Sequence, residues 1–210
     1  MRELGHLGYS NKLRGVSENE KVIGKGIMLD QLRERLSQYE ARRFDSQVPQ
    51  ASVLIALTDS EDPHVILTKR ASNLSTHGGE IAFPGGRHDL TDPDLLFTAL
   101  READEEIGLL PQDVEVLARL GQVMSKHQLQ VTPWVGIVPA SIQLTPSPDE
   151  IESIFTVPLS FFLEDQRHHT DQIRFKGMTH FVPAYEYDGH IIWGLTAYML
   201  VELLNEGCGA

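Results

Sequence analysis

The sequence predicts an α+β protein, a mixed β-sheet with helices packed on it. Short β-branched runs bounded by Gly, Pro, Asn and Asp recur along the chain. Stretches of helical hydrophobic period interrupt them. The two kinds do not alternate as regular strand–helix–strand units and no internal repeat occurs, which argues against a doubly wound sheet. With 210 residues, 41% of them hydrophobic, the chain is long enough to bury a substantial core.

Residues 1–27 are polar and read as a loosely attached arm; residues 28–210 read as a single domain. From Met28 to Arg43, "MLDQLRERLSQYEARR" sets Leu29, Leu32, Leu36 and Tyr39 at helical spacing. That predicts an amphipathic helix packed on the domain, with an apolar stripe that could also serve a second copy in a homodimer. The runs "ASVLIALT", "HVILTKR" and "EIAFPGG" follow as strands, separated by "DSEDPH" and the loop "ASNLSTHGG". A helix is predicted from about Leu95 to Ile107, ended by Gly108, because glycine tolerates the left-handed conformation of a helix C-terminus. Later β-type runs are "VEVLARLGQVM", "QVTPWVGIVPA", "DQIRFKGM", "THFVPAYEY" and "HIIWG". Two more helices are expected, near "PDEIESIF" and at "LTAYMLVELLNEG". Trp134 and Trp193, both in β-type runs, are read as core residues rather than platforms for a nucleobase.

A formal charge of -12 argues against a nucleic-acid partner, which requires clustered Lys and Arg. No apolar run approaches the roughly 20 residues that span a bilayer, and the start lacks a secretory core, so no membrane is expected and the cytoplasm is. The single cysteine, Cys208, excludes an intrachain disulfide and a cysteine-based zinc site. An anionic small molecule can still bind where a metal ion or a local basic group reverses the field.

The chemistry concentrates in "LREADEEIGL", residues 100–109. At about 100° per residue, with Glu102 as zero, Glu106 falls near 40° and Glu105 near 300°. Leu96, Ala99, Leu100, Ala103 and Ile107 fall between about 60° and 160°. The three carboxylates share one stripe bordering the buried face. Their repulsion, and their place near the negative end of the helix dipole, disfavour the helix unless something positive offsets them. Arg101 offsets part through its i,i+4 relation to Glu105. A hard divalent cation, which takes carboxylate oxygens, offsets more.

The segment "GGRHDLTDPDLLFTALREADEEIGL", Gly85–Leu109, resembles the Nudix box of hydrolases that split diphosphates linked to another moiety. Gly86, Arg101, Glu102, Glu105, Glu106, Gly108 and Leu109 match it. The acid after the glycine is Asp92 rather than glutamate, and it stands one residue farther from Arg101 than the general pattern has it. Upstream, "ILTKRASNLSTHGGEIAFPGGRHDLTD", Ile66–Asp92, is similar to the element preceding the box in coenzyme A diphosphatases, with Lys69, Arg70, Leu74, His77, Gly79, Glu80, Phe83, Pro84, Gly85 and Gly86 in register. That subgroup also accepts the aspartate and the longer spacer. The resemblance extends from about Pro49 to Leu203.

The resemblance implies the Nudix fold, an α/β/α sandwich, and a Mg²⁺- or Mn²⁺-dependent hydrolase whose small-molecule diphosphate substrate is coenzyme A or a derivative, released as 3′,5′-adenosine bisphosphate and 4′-phosphopantetheine. ADP-ribose, a dinucleotide or a nucleoside triphosphate is the alternative substrate, and a non-catalytic binding module the alternative class. Glu102 and Glu106 are then metal ligands, and Glu105 is either a ligand or the base that orients the attacking water. Arg101 orients the glutamates. Gly85 and Gly86 let backbone approach metal and phosphate. Lys69, Arg70, His77 and Arg87 are candidates for substrate binding. Glu150, in "SPDEIESIF", is a candidate for a further ligand or base, although the same letters read as a helix start. His127, His168 and His169 are read as surface residues.

Overall fold

The computed structural model describes residues 27–44, 47–72, 78–175 and 177–210. The predicted arm thus lies outside the described residues except for Ile27. Among the described residues the architecture is a mixed β-sheet carrying helices on both faces, with a second, smaller sheet of three strands.

The chain enters through α1 (Ile27–Ser37), whose Leu29, Leu32 and Leu36 are buried. The helix ends at Ser37 rather than at Arg43, and residues 39–44 run on without regular structure, still packing Tyr39 against the core. Strands β1 (Gln50–Asp59) and β2 (His64–Arg70) follow as an antiparallel pair in which Leu57 faces Val65. Toward the start of β1 the two strands part. The chain between Ile81 and Arg87 fills the gap: β3 (Ile81–Ala82) pairs with the end of β2, and β4 (Gly85–Arg87) pairs with the start of β1. Leu54 N–H donates to Pro84 O at 2.9 Å across the join.

Helix α2 (Leu95–Ile107) then crosses that face. Asp94 caps it by accepting from Phe97 N–H, and Gly108 ends it with φ 68°, as the glycine predicts. After a 3-10 turn at Pro111–Asp113 come β5 (Glu115–Arg119), β6 (Val123–Met124) and β7 (Gln130–Pro139). Strand β7 lies parallel to β1 over its full length and antiparallel to β5 and β6. Strand β8 (Ile151–Pro158) pairs antiparallel with β2 on its other side.

Strand β8 corrects the helix expected near "PDEIESIF". Ser147 O accepts from both Glu150 N–H and Ile151 N–H, which makes a single turn. Beyond it the β-branched and aromatic side chains Ile151, Ile154, Phe155, Thr156 and Val157 find a partner in β2, and tertiary pairing overrides the local cap signal. A five-residue helix, α3 (Leu159–Leu163), forms from apolar residues that periodicity had not marked. Strands β9 (Arg167–Phe175), β10 (Met178–Tyr187) and β11 (His190–Ile192) make the small antiparallel sheet, and α4 (Gly194–Glu202) closes the chain with a π-helical end at Leu203–Cys208.

Two cores result. Leu54, Ala56 and Ile66 meet Ala99, Ala103 and Ile107 of α2 on one face. On the other face Ile55, Leu57, Val65 and Leu67 meet α1, α3 and α4 through Leu32, Leu36, Phe162, Ala197 and Leu200. Alternation along β1 and β2 feeds both. This is the helix–sheet–helix arrangement of an α/β/α sandwich.

Candidate active site

The parted strands determine the site. Gly85 lies against β1 with φ 154°; a Cβ there would stand 2.6 Å from Val53 Cα, so only glycine fits. Gly86 lies against α2; a Cβ there would stand 2.5 Å from Glu102 Oε1. With no side chains at Gly85 and Gly86 of β4, the stripe of α2 carrying Glu102 and Glu106 turns inward onto them. Glu106 is therefore buried, not merely bordering the core, with a side chain 3% exposed.

Its carboxylate is held by two donors: Gly85 N–H to Oε2 at 3.0 Å, and Arg70 Nη1 to Oε1 at 3.1 Å. Burial pushes the carboxyl up to about 7, against the pull of the Gly85 N–H and the Arg70 guanidinium. Glu102, 15% exposed, is raised too, first by burial and, in the same direction, by Glu105 and Glu150. Glu102 and Glu150 likewise raise Glu106.

Arg101 gathers the rest. It reaches Asp92 through Nε to Oδ1 and Nη2 to Oδ2, both 3.0 Å, Glu102 Oε1 at 2.9 Å and Glu105 Oε2 at 2.8 Å. Asp92, whose side chain is 2% exposed, is drawn down to about 2, first by Arg101, with Thr98 adding a hydrogen bond from Oγ1 at 2.9 Å. Thr98 Oγ1 also meets His88 Nδ1 at 2.8 Å. Sequence reasoning noted Asp92 only as a departure from a motif and missed Thr98 and His88; a threonine within the inward stripe of α2 is the signal that could have found the network. The shorter Asp92 still reaches the guanidinium with both oxygens across the longer spacer.

A family model described as the NUDIX domain matches residues 48–176, a span that holds all of this geometry. The chain belongs to the Nudix hydrolase family. It is 43% identical over 154 residues to an uncharacterized Nudix hydrolase NudL of Enterobacter sp. (strain 638), covering 73% of this chain and 80% of that one. The NudL of Salmonella newport is 42% identical over the same span. Among solved structures, a NUDIX hydrolase from Alicyclobacillus acidocaldarius is similar at TM-score 0.47 and 18% identity, covering 58% of this chain and 83% of that one. A C. elegans Ap4A hydrolase binary complex is similar at 0.46 and 17%, covering 56% and 85%.

Nudix hydrolases generally use divalent metal ions, and the donors here suit one. Glu102 and Glu106 offer hard oxygens one helical turn apart, Glu106 buried and Glu102 partly so, both raised by burial and by neighbouring acids, a combination that a bound cation relieves. Among the described residues no three His, Cys, Asp or Glu side chains are already gathered to hold an ion. Arg101 lies among Asp92, Glu102 and Glu105, and Glu105, 60% exposed, is paired with it.

The other expected residues separate. Arg70 joins the Nudix glutamates, but Lys69 does not: consecutive strand residues face opposite ways, and Lys69 Nζ meets Glu152 at 2.6 Å on the other side of β2. Glu152 is the extra residue of a bulge, for Lys69 pairs with Ser153 and Arg70 with Ile151. Glu150 is exposed on the turn before β8, its carbonyl accepting from Ala71 N–H at 2.8 Å, which sets it beside Arg70. Arg87 is exposed at the end of β4. His77 and Leu74 lie outside the described residues. His127 is exposed, and His168 and His169 face Glu186 and Asp171 at the surface of the small sheet, as surface residues would. No helix among the described residues is long and apolar enough to cross a membrane.

Proposed function

We propose that the chain hydrolyses the diphosphate bond of coenzyme A or its derivatives, with Mg²⁺ or Mn²⁺, to 3′,5′-adenosine bisphosphate and 4′-phosphopantetheine. The observation that carries the chemistry is the burial of Glu106 between the Gly85 N–H and Arg70, with Glu102 one turn away against Gly86. The substrate rests on the likeness of Ile66–Asp92 to the coenzyme A diphosphatase element, of which Arg70, Gly85 and Gly86 stand at the glutamates.

In this reading Glu102 and Glu106 are the principal metal ligands, and Glu105 is a further ligand or the base that orients water once Arg101 releases it. A bound divalent ion supplies neutralisation of phosphoryl oxygens and a lowered pKa for water. Arg70, already at the mouth of the site, binds a phosphoryl oxygen with the guanidinium edge not engaged by Glu106. Glu150 approaches from the β8 side as a second candidate base. Arg101, clamped by Asp92, positions the glutamates and does not touch substrate. Gly85 and Gly86 admit the phosphates to the backbone. Arg87 and His77 remain candidates for substrate contact, residues 28–210 act as one domain, and the enzyme works in the cytoplasm.

The test is incubation of purified protein with coenzyme A, ADP-ribose and a dinucleotide, each with Mg²⁺, Mn²⁺ or EDTA, and identification of products by mass. Metal-dependent release of 4′-phosphopantetheine ahead of the other cleavages is the expected result. Faster cleavage of ADP-ribose would overturn the substrate and keep the chemistry; no cleavage would favour a binding module.

A further inference from the structure

On the face of β2 away from Glu106, a groove of about 380 Å³ opens between the end of that strand and the β10–β11 hairpin. Its walls include Lys69, Gly79, Ile81, Gly189, His190 and Trp193. The volume lies within the range of small-molecule sites, about 300–1,000 Å³. Trp193, expected in the core, is 42% exposed here.

The walls are fixed to one another. Thr196, in the first turn of α4, donates through its buried Oγ1 to Ile81 O at 3.0 Å, which ties the Trp193 side to the β3 side. Trp193 itself is extended backbone at the N-terminus of α4, with Ala197 N–H donating to its carbonyl at 3.4 Å. The His190 ring is stacked on Phe155, centroids 4.1 Å apart and 17° from parallel, which holds the third wall. Glycines at 79 and 189 leave the sides of the slot low. The indole is thus a partly exposed aromatic face beside an opening whose walls are joined by these contacts.

Charge indicates what such a slot takes. Lys69 is engaged by Glu152, which also accepts from Ser72 Oγ at 2.7 Å, so the groove presents an ion pair and not a free cation. A phosphate has its counter-charge elsewhere, on Arg70. A flat, uncharged, polar ring suits the groove better, since stacking on an aromatic face needs no counter-charge. Groove and glutamates are joined through the backbone: Arg70 N–H donates to Glu80 O and Gly79 N–H to Arg70 O, both 3.0 Å, so two residues lining the groove are hydrogen-bonded to the main chain of the residue whose side chain holds Glu106.

We propose that this groove is the nucleobase subsite: the base of the nucleotide half of the substrate lies on the Trp193 indole, and its phosphates round the end of β2 to Arg70 and Glu106. The inference deepens the diphosphate-hydrolase reading and rests on it. It makes Trp193 a residue for substrate affinity and base selection, outside the chemical step.

The test is calorimetric titration of the metal-free protein in EDTA with AMP and with ribose 5-phosphate, which share the phosphate and differ in the base. The wild type is expected to bind AMP roughly tenfold or more tightly than ribose 5-phosphate, the scale of one base–aromatic stack. Trp193→Ala should abolish that difference, and Trp193→Phe should restore most of it. Against whichever nucleotide diphosphate is cleaved, Trp193→Ala should raise KM about tenfold with kcat within about twofold. Should the alanine variant not fold, Trp193→Leu removes the aromatic face while keeping bulk. Equal binding of the two probes, no measurable binding of AMP, or a base preference that survives loss of Trp193 would overturn the subsite. If AMP binding depends on Trp193 while coenzyme A is not cleaved, the groove stands and the proposed substrate falls; if coenzyme A is cleaved and Trp193 changes neither binding nor KM, the reverse holds.

Discussion

Gly85 N–H donates to Glu106 Oε2 at 3.0 Å, joining the strand that fills the gap between β1 and β2 to the helix that carries the acids. That donor is fixed by sheet pairing with Val53, and it holds the carboxylate in its buried place. That costs the fold something, since a buried carboxylate is more stable protonated.

The cost sets a pH dependence. The Glu106 carboxyl is raised from 4.5 to about 7. The folded protein thus binds that proton more tightly than the unfolded chain does, and its contribution is most favourable below the unfolded pKa and is lost as pH rises through the folded one. Metal-free protein should lose on the order of 3 kcal/mol between about pH 4.5 and 7. Asp92, drawn down to about 2, acts in the opposite sense and lends stability above about pH 4 that disappears in stronger acid. Thermal unfolding in EDTA across pH 3–8 should therefore peak near pH 4–5. Addition of Mn²⁺ should raise the midpoint more at pH 8 than at pH 5. An unfolding midpoint that climbs steadily to pH 8 without metal would contradict the burial of an ionisable Glu106.

Glu106→Gln should abolish turnover, because one metal charge is removed while the shape nearly persists. Its amide oxygen can still accept from Gly85 N–H, and its NH₂ turns toward Arg70, which is 25% exposed and can swing away. The variant should unfold in EDTA at pH 8 no earlier than the wild type, and the wild-type slope between about pH 4.5 and 7 should flatten. Full activity at limiting Mg²⁺ would remove Glu106 from the ligands.

The two glycines should separate fold from function. At Gly85 an added Cβ meets the backbone of Ser52 and Val53, and φ is 154°, so Gly85→Ala should cost about 1–3 kcal/mol or more and compromise folding. At Gly86 the three atoms nearest the added Cβ all belong to the carboxylate of Glu102, the far end of a flexible side chain. Gly86→Ala should therefore fold, lose less than about 1 kcal/mol, and bind Mn²⁺ poorly because Glu102 has been displaced. Denaturant unfolding beside Mn²⁺ titration distinguishes the two; equal damage to stability would refute the contrast.

What the sequence made legible was local. The α2 boundaries follow from Gly108 and the apolar period, and the Arg101–Glu105 pair from i,i+4 spacing. What it hid depends on partners distant along the chain. Glu106 looked like an edge residue because the wheel cannot know that the facing strand is a pair of glycines. Ile151–Pro158 looked helical at its start because the letters "SPDEIESIF" read as a helix start, whereas its pairing partner β2 is distant along the chain. Lys69 and Arg70 looked like one basic pair, although the alternation of a strand sends them to opposite faces. Trp193 looked like core because β-type composition does not reveal that the strand ends at Ile192 and the helix turns away.

Asp92→Asn should change metal affinity more than rate. The carboxylate receives Arg101 with both oxygens; without its charge the guanidinium stays on Glu102 and Glu105, the groups that a cation would need. The concentration of Mn²⁺ for half-maximal activity should rise about 10–100-fold, the scale of outer-shell partners, with kcat at saturating metal much less affected. Electron paramagnetic resonance of free Mn²⁺ measures the affinity directly. Unchanged affinity with a collapsed kcat would place Asp92 in the chemical step instead.

Arg70 should serve both Glu106 and substrate, and its variants can tell these roles apart. Arg70→Ala removes the guanidinium that lowers the Glu106 carboxyl, so the protonated acid should persist to higher pH. It also removes a charge-assisted bond to phosphate, worth about 1.5–3 kcal/mol or roughly 10–100-fold in kcat/KM. Arg70→Lys keeps the charge near Glu106 and loses the planar fork, so the pH–rate profile should match the wild type while KM remains raised. If both variants shift the acidic limb of the profile equally, the fork geometry and not the charge governs Glu106; if neither raises KM, Arg70 holds the glutamate alone and the phosphate is bound elsewhere.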